Sequence, residues 1–260
     1  MKKVKIDKIV GVPKEFDVFL KGAEIFDSSC SPEARVYYIK SADGLYLKTA
    51  AKGTLQREAL MTDYFHKKGL GAEVIDFKSL DNDWFLTTAV KGEDCVNEIY
   101  LSDPKRLCDT LAVTLRALHE IDFSDCPIKD RVSEYLTLAE ENFETGNYDK
   151  SHFPDSFGYR SAKEAYKVLQ EGKGALKNEV LIHGDYCLPN IMLDDWKFSD
   201  FIDVGNGGVG DRHIDLFWGT WTLWFNLNTN DYYNRFLDAY GRDKVDTEIL
   251  KTVAAAEVFG

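Results

Sequence analysis

The sequence lacks a cysteine pattern that could form a disulfide framework. Its five cysteines are odd in number and include no Cys-x-x-Cys pair (Cys30, Cys95, Cys108, Cys126 and Cys187). This distribution favours a reducing compartment. The sequence also lacks an apolar run of transmembrane length, and the basic start, Met1–Asp7, contains no apolar core of a signal peptide. We therefore expect a cytoplasmic protein without a membrane partner.

An excess of positive charge is missing as well. Lysine and arginine number 32 against 44 aspartates and glutamates, which gives a net charge of −12. Nucleic acids and anionic membranes are polyanions, so both are disfavoured as partners, whereas a small cationic substrate would be attracted. No repeat or low-complexity tract is present, and 260 residues that are 44% hydrophobic can bury a large core in one globular body of two lobes. The oligomeric state does not follow from these features.

Two short polar segments carry the most informative pattern in the chain. His183-Gly184-Asp185 is followed by Asn190 after four intervening residues, and Asp203-Val204-Gly205 lies downstream. Protein kinases use His-Arg-Asp with the same gap to an asparagine, followed later by Asp-Phe-Gly. In that chemistry one carboxylate lies beside the acceptor hydroxyl, while an amide and a second carboxylate hold Mg²⁺ on the nucleotide phosphates. The pattern predicts phosphoryl transfer from ATP, with Asp185 catalytic and with Asn190 and Asp203 as metal ligands.

A nucleotide-binding half is predicted upstream. Residues 34–39 and 45–49 have the pattern of two strands joined by a turn, and residues 54–68 have a helical pattern. A lysine on a central strand is costly to bury unless it meets an anion, so we expect Lys48 and Glu58 to form the ion pair that orients the phosphates. No Gly-x-Gly-x-x-Gly loop precedes these strands, but Ser28–Pro32 offers hydroxyls and backbone N–H groups that could cover phosphates. Residues Val90–Glu93 are predicted to form a hinge whose backbone could contact adenine.

Together these segments resemble the aminoglycoside 3′-phosphotransferases, which are bacterial antibiotic-resistance kinases. Besides the catalytic loop, the resemblance rests on Ser31–Tyr37, Leu45–Lys48, Leu118–Pro127, Asp211–Asp215 and Glu257–Phe259. It implies an α+β, two-lobed protein-kinase-like fold. Residues 1–92 would form a nucleotide-binding N-terminal lobe from an antiparallel sheet, a helix and the hinge. Residues 93–260 would form a larger, mostly helical C-terminal lobe with the catalytic and substrate-binding residues.

The resemblance also implies individual roles. Tyr46 would stack on adenine, Ser31 would lie in the nucleotide loop, and Lys48 would bind the α- and β-phosphates. Glu58 and Val90 complete the set of predicted ATP-binding residues. The metal would be two Mg²⁺ ions, and the co-substrate would be ATP, with GTP left open.

The predicted acceptor site departs from the family pattern. Where well-known members carry an acidic pair on a helix, this chain has Phe225 and Asn226, and Gly260 follows Phe259 at the C-terminal end. Trp218, Trp221 and Phe225 recur at helical spacing, which favours core packing, with a ring lining the acceptor site as the alternative. The predicted acceptor-binding residues are Asp155, Asn226, Glu257 and Phe259, with Asp149 as a further candidate in the loop of Asp155.

The leading hypothesis is an enzyme that transfers the γ-phosphoryl group of ATP to the 3′-type hydroxyl of an aminoglycoside. Because the acidic pair is missing, a kinase of another hydroxylated amine, such as a macrolide, a choline-like compound or a sugar amine, stays open. A non-catalytic nucleotide-binding protein is disfavoured by the intact Lys48, Asp185, Asn190 and Asp203. A metal-dependent hydrolase would leave Lys48 and Glu58 without a role, and the absence of Ala-Pro-Glu disfavours a protein kinase.

Overall fold

The structure is a computed structural model that describes residues 3–149 and 158–260. Its strands are β1 (Val4–Ile6), β2 (Glu24–Asp27), β3 (Ala34–Lys40), β4 (Leu45–Ala51), β5 (Val74–Ser79), β6 (Asn82–Thr88), β7 (Glu93–Asp94), β8 (Val180–Ile182), β9 (Ile191–Asp194), β10 (Lys197–Phe201) and β11 (Gly208–Gly210). Its α-helices are α1 (Asp17–Leu20), α2 (Gln56–Lys67), α3 (Glu98–Leu101), α4 (Pro104–His119), α5 (Arg131–Thr145), α6 (Ala162–Gly172), α7 (Arg212–Leu227), α8 (Tyr233–Gly241) and α9 (Thr247–Glu257).

The chain divides into two compact units. The first contains Met1–Asp94 and Ile191–Gly205, and the second contains Cys95–Asn190 and Asn206–Gly260. The N-terminal lobe was predicted to end at residue 92, whereas the first segment of this unit ends at Asp94. The unit also contains the β9–β10 hairpin, which the prediction placed in the C-terminal lobe. The hairpin joins this unit because β9 pairs with β7 and the Phe201 N–H donates to the Leu70 carbonyl at 2.7 Å.

The first unit is built on an antiparallel sheet with the strand order β1-β2-β3-β4-β6-β5. Successive side chains of a strand point to opposite faces. On one face Ile39 and Leu47 are fully buried in a core that also contains Phe16. On the other face lie Tyr46 and Lys48, the even-numbered neighbours of Leu47 on β4. The predicted strands 34–39 and 45–49 are confirmed, each with one or two additional residues at its end.

Helix α2 packs beside the sheet and confirms the predicted helix. Leu55 and Ala59 form a small buried cluster with Phe85 of β6. The start of the helix is anchored because the backbone N–H of Leu55 donates to Oδ2 of Asp83 at 2.9 Å. This packing places Glu58, which lies between the two apolar positions, on the Lys48 side of the sheet.

The second unit is mostly helical, as predicted. Helix α4 begins with the favourable pair Asp103 and Pro104: the aspartate side chain caps the backbone N–H of Arg106, and proline occupies a position with no helical hydrogen bond to lose. Its buried residues recur at helical spacing and include Leu107, Leu111, Leu115 and Leu118. Strands β8 and β11 form a short antiparallel pair beside these helices.

A separate core cluster of the second unit gathers around the C-terminal helix. Its buried members come from α5, α6 and α9 and from the residues that follow α9: Ala139, Ala165, Leu169, Ala255, Ala256, Val258 and Phe259. Across residues 3–149 and 158–260, no helix combines the length and the apolar character needed to cross a lipid bilayer.

Candidate active site

The first unit contains a cavity of about 440 Å³ on the sheet face that carries Tyr46 and Lys48. Every residue that lines it belongs to this unit. The structure therefore brings together six residues that the sequence singled out for nucleotide or metal binding: Ser31, Tyr46, Lys48, Glu58, Val90 and Asp203.

The cavity has an aromatic end and a polar end because of two rows of residues that pair across the sheet. Directly paired residues on neighbouring strands point to the same face. One row contains Tyr38 and Tyr46, whose ring centroids are 5.2 Å apart, and the ammonium group of Lys3 lies 3.5 Å from the Tyr38 centroid. The other row, two residues further along the strands, contains Val36 and Lys48. The first row can stack on a flat ring, and the second can bind an anion.

Lys48 forms the centre of an ion cluster. Its Nζ donates to Oε1 and Oε2 of Glu58 at 2.9 and 2.8 Å, as predicted, and also to Oδ1 of Asp203 at 2.6 Å. Burial favours the neutral amine, but the charges of Asp203 and Glu58 outweigh it and raise the pKa of Lys48 above its usual value. Burial, helped by the Asp203 charge, raises the pKa of Glu58 to about 7. The lysine stays a cation inside a cavity large enough for a ligand, which suits a phosphate-binding role.

Ser28 is a polar residue of the cavity that the sequence did not single out on its own. It is only 2% exposed and lines the cavity, yet its hydroxyl has no hydrogen-bond partner among the described residues. Its backbone N–H donates to the Val36 carbonyl at 2.8 Å, which extends the Lys48 row by one strand. A buried hydroxyl without a partner is costly, so this one is suited to a ligand that enters the cavity. A small polar residue directly after a strand was the available signal.

Asp185 and Asn190 lie together in the second unit, as predicted from their spacing. Nδ2 of Asn190 donates to Oδ2 of Asp185 at 2.8 Å and to the Asp185 carbonyl at 3.0 Å. Because the amide nitrogen is used in this way, the amide oxygen is the atom of Asn190 that can ligate a metal. Amide and carboxylate oxygens are ligands that Mg²⁺ accepts, so Asn190 and Asp203 fit this ion by their chemistry.

Asp215 holds the start of the catalytic loop, a role that the sequence analysis did not assign to it. The backbone N–H groups of His183 and Gly184 each donate to its carboxylate at 2.7 Å. Gly184 has a φ of 80°, and a Cβ on it would lie 2.1 Å from the Asn206 carbonyl oxygen, so only glycine fits there. His183 is fully buried.

The rest of the loop is fixed by neighbouring helices. The hydroxyl of Tyr186 donates to the Leu111 carbonyl of α4 at 2.8 Å, and the backbone N–H of Leu188 donates to Oγ1 of Thr222 on α7 at 3.1 Å. Both contacts are buried. Asp185 is therefore presented by a loop that is bound to the protein core on either side of it.

Glu257 is a buried carboxyl group in the same unit. Its Oε1 accepts hydrogen bonds from the Tyr135 hydroxyl at 2.9 Å and from Nε1 of Trp218 at 3.0 Å. Burial raises the pKa of Glu257 to about 8; the two hydrogen bonds oppose this shift, and the negative charge of Asp185 adds to it. A cation that reaches this carboxyl group would favour its ionised form.

The other predicted acceptor-binding residues have varied surroundings. The ring of Phe259 is fully buried among Phe143, Tyr148 and Tyr166, so a contact between that ring and a substrate stays a prediction. The amide nitrogen of Asn226 donates to the Thr222 carbonyl at 2.8 Å within α7. Asp155 lies outside the described residues.

Comparison with protein families gives one match that covers most of the chain. Residues 32–250 match the model of a family described as "Phosphotransferase enzyme family". A Lactococcus lactis protein named "Probable aminoglycoside 3'-phosphotransferase" is 51% identical over 249 residues, which is 95% of each chain. An aminoglycoside 3'-phosphotransferase of Niallia circulans is 30% identical over 169 residues, covering 65% of this chain and 64% of that protein.

Solved structures share the fold. The crystal structure of an aminoglycoside-3'-phosphotransferase of type VIII superposes with a TM-score of 0.76 at 24% identity, covering 95% of this chain and all of the other. An aminoglycoside phosphotransferase of Streptomyces rimosus in complex with ADP and streptomycin gives a TM-score of 0.68 at 22% identity, covering 86% of this chain and 91% of that one. The predicted kinase-like α+β fold is confirmed.

Proposed function

The chain belongs to the phosphotransferase enzyme family, and we propose that it transfers the γ-phosphoryl group of ATP to a hydroxyl of an aminoglycoside. An enzyme with this activity would confer antibiotic resistance. The observation that carries the proposal is the Lys48 cluster, in which one buried ammonium group meets Glu58 and Asp203 inside a ligand-sized cavity. The cluster has the groups of the lysine–glutamate ion pair and the metal-binding aspartate that phosphoryl transfer from a nucleotide uses.

The nucleotide would be bound by the two rows of the first unit. Tyr46 stacks on the base, Val90 and its neighbours contact the base edge, and Lys48 holds the α- and β-phosphates in the orientation fixed by Glu58. Ser28 and Ser31 supply hydroxyls to the ribose and phosphate oxygens. ATP is the expected co-substrate, and GTP is the alternative that a nucleotide titration would distinguish.

Asp185 would act on the acceptor. Its carboxylate, oriented by Asn190, accepts the proton of the acceptor hydroxyl as that oxygen bonds to the γ-phosphorus and the bond to the ADP oxygen breaks. Two Mg²⁺ ions are expected; Asn190 and Asp203 would hold them, and they would supply positive charge at the phosphates. The chain contributes the position of each group, which is the main requirement for this transition state.

The acceptor is proposed to be an aminoglycoside with a free 3′-hydroxyl. This choice rests on the names of the relatives, above all the one that is 51% identical over 95% of both chains. The net charge of −12 favours a polycationic ligand. Glu257 is the leading partner for an ammonium group, with Asp155, Asn226 and Phe259 as the remaining predicted contacts.

The test is an ATP-consumption screen with MgCl₂ and a panel of kanamycin, neomycin, streptomycin, a macrolide and choline. We expect ADP release only with aminoglycosides, and a monophosphorylated product whose position is read by ³¹P–¹H NMR. Asp185→Asn should keep ATP affinity and reduce turnover by about 10²–10⁴-fold, the range for a positioned proton acceptor. Turnover with choline or the macrolide but with no aminoglycoside would reject the proposed acceptor, and near-normal turnover in Asp185→Asn would reject the assigned base.

A further inference from the structure

Helix α7 carries a line of stacked aromatic rings that the proposed mechanism does not use. The ring centroids of Trp218 and Trp221 are 5.3 Å apart at 77°, and Trp221 stacks on Phe225 at 4.9 Å and 10°. We define the aromatic stripe as these three residues. Rings that pack in a hydrophobic core would be buried, yet Phe225 is 62% exposed and both tryptophans are only partly buried. The stripe is therefore partly buried and ends in an exposed ring at Phe225, which core packing alone does not require.

The stripe has features that core packing does not explain. Nε1 of Trp221 is inaccessible and has no hydrogen-bond partner among the described residues, an arrangement that costs free energy. Phe225 presents one ring face to Trp221 and leaves most of its surface to solvent. A parallel pair of rings with one exposed outer face forms a rigid, flat platform, because aromatic side chains have few rotatable bonds.

The position of the stripe relates it to the catalytic loop. Helix α7 binds this loop through Asp215 and through Thr222, which lie seven residues apart and so share one face of the helix. Trp218 lies between them, three residues from one and four from the other, which places it at the margin of the same face. Phe225 lies seven residues after Trp218, two turns further along the same side. The stripe therefore runs along α7 beside the face that holds the loop of Asp185.

Trp218 also connects the stripe to a charged group. Its Nε1 donates to the buried carboxyl of Glu257 at 3.0 Å, and Glu257 is close enough to Asp185 for their charges to interact. An acceptor with a hydroxyl at Asp185 and an ammonium group at Glu257 would thus meet the edge of the stripe. The resemblance implies a carboxylate at the position of Phe225, so this chain would have a ring in place of a charge.

We propose that the aromatic stripe binds an aminated sugar ring of the acceptor, with the C–H face of the sugar against Phe225 and an ammonium group over the rings. The proposal rests on the aminoglycoside acceptor of the proposed function and specifies how that acceptor is recognised. Sugar rings offer flat C–H faces that pack on aromatic rings, and cations are attracted to the face of tryptophan or phenylalanine. A ring stripe recognises the shape and the amines together, whereas a carboxylate recognises charge alone.

The experiment compares Phe225→Ala with Phe225→Tyr in kanamycin and neomycin kinetics. We expect Phe225→Ala to raise the aminoglycoside KM about two- to fivefold, the range for a cation–π contact at an exposed site. The KM for ATP and the kcat should change less than twofold, and Phe225→Tyr, which keeps the ring, should retain the parent KM. Ile99→Ala is the matched control, because Ile99 is 61% exposed in the same unit and belongs to α3.

A second measurement separates stacking from charge. Titration of kanamycin should change the tryptophan fluorescence of the parent enzyme, and the affinity obtained should persist partly at 0.5 M salt, because ring contacts are screened less than exposed ion pairs. Phe225→Ala should lose that salt-resistant part while keeping the parent Tm. An unchanged aminoglycoside KM in Phe225→Ala, or a rise of the same size in Ile99→Ala, overturns the stripe proposal and leaves the proposed function standing. A parent enzyme that phosphorylates no aminoglycoside overturns both.

Discussion

Replacement of Glu257 by glutamine is expected to change how the stability of the fold depends on pH. Glu257 is 7% exposed, and its Oε1 accepts both the Tyr135 and the Trp218 hydrogen bonds. Glutamine can keep both bonds, because its amide oxygen can take the position of Oε1. The variant therefore resembles the neutral carboxyl form in shape and hydrogen bonding, and it differs mainly in that it cannot ionise.

The magnitude follows from the pKa of Glu257. Burial raises this pKa from 4.5 to about 8, and the charge of Asp185 adds to the shift, while Tyr135, Trp218 and Arg131 oppose it. The folded state holds the proton more tightly than the unfolded state. The resulting stabilisation is complete below pH 4.5 and is lost as the pH rises to about 8. Across this window the parent should lose up to about 1.4 kcal/mol per pH unit relative to Glu257→Gln.

The assay is urea denaturation of both proteins at pH 5, 6.5 and 8. The difference in unfolding free energy should grow in favour of Glu257→Gln at each step and flatten above pH 8. Glu144→Gln on α5 is the control, because Glu144 is exposed and its removal should leave the pH profile of the parent unchanged. Parallel profiles for the parent and Glu257→Gln would refute the reasoning, since they would mean that this carboxyl group has the same proton affinity in both states.

Changes at four further residues test the nucleotide site. Tyr46→Ala should raise the ATP KM because it removes a stacked ring, whereas Tyr46→Phe should keep the parent KM. Lys48→Ala should mainly reduce kcat. If Tyr46→Ala leaves the ATP KM unchanged, the ring of Tyr46 only packs within the protein. Asp203→Ala should weaken ATP binding in the presence of Mg²⁺ and abolish transfer. Calorimetry of ATP binding with and without Mg²⁺ checks this. An equal loss of ATP affinity under both conditions would contradict the assignment. Ser28→Ala should raise the ATP KM about three- to tenfold, as expected for the loss of one hydrogen bond. It should not lower the Tm, because the hydroxyl has no hydrogen-bond partner among the described residues. A lower Tm with an unchanged ATP KM would count against a role of Ser28 in binding the nucleotide.

Much of the nucleotide site could be predicted because it depends on local patterns. The alternation of residues 34–49 places Tyr46 and Lys48 on one face, and the helical pattern of residues 54–68 places Glu58 where it meets that face. The cross-strand register confirms this arrangement, since Val36 pairs with Lys48 and Tyr38 with Tyr46. A period of two or of 3.6 residues fixes the direction of a side chain without knowledge of the distant chain.

Features that depend on distant partners were not predicted. The β9–β10 hairpin belongs to the first unit because of the pairing of β9 with β7, about one hundred residues upstream in the chain, and no local pattern indicates it. The role of Asp215 depends on two backbone N–H groups about thirty residues away. Sequence identified the segment around Asp215 as part of a resemblance but gave no contact for it. Likewise, the raised pKa of Glu257 depends on burial that only the packed fold provides.

The acceptor site combines both kinds of feature, and α7 shows why. One face of this helix carries Asp215 and Thr222, which fix the catalytic loop, and those contacts are made to backbone atoms. The adjacent side carries Trp218 and Phe225, for which the hydrogen bonds described above give no contact with the loop. Side chains on that side can therefore differ, and with them the proposed acceptor contacts, while Asp185 stays in position. This separation explains how the loop of Asp185 can keep a motif predicted from short spacing rules while the proposed acceptor surface differs from the one that the resemblance implies.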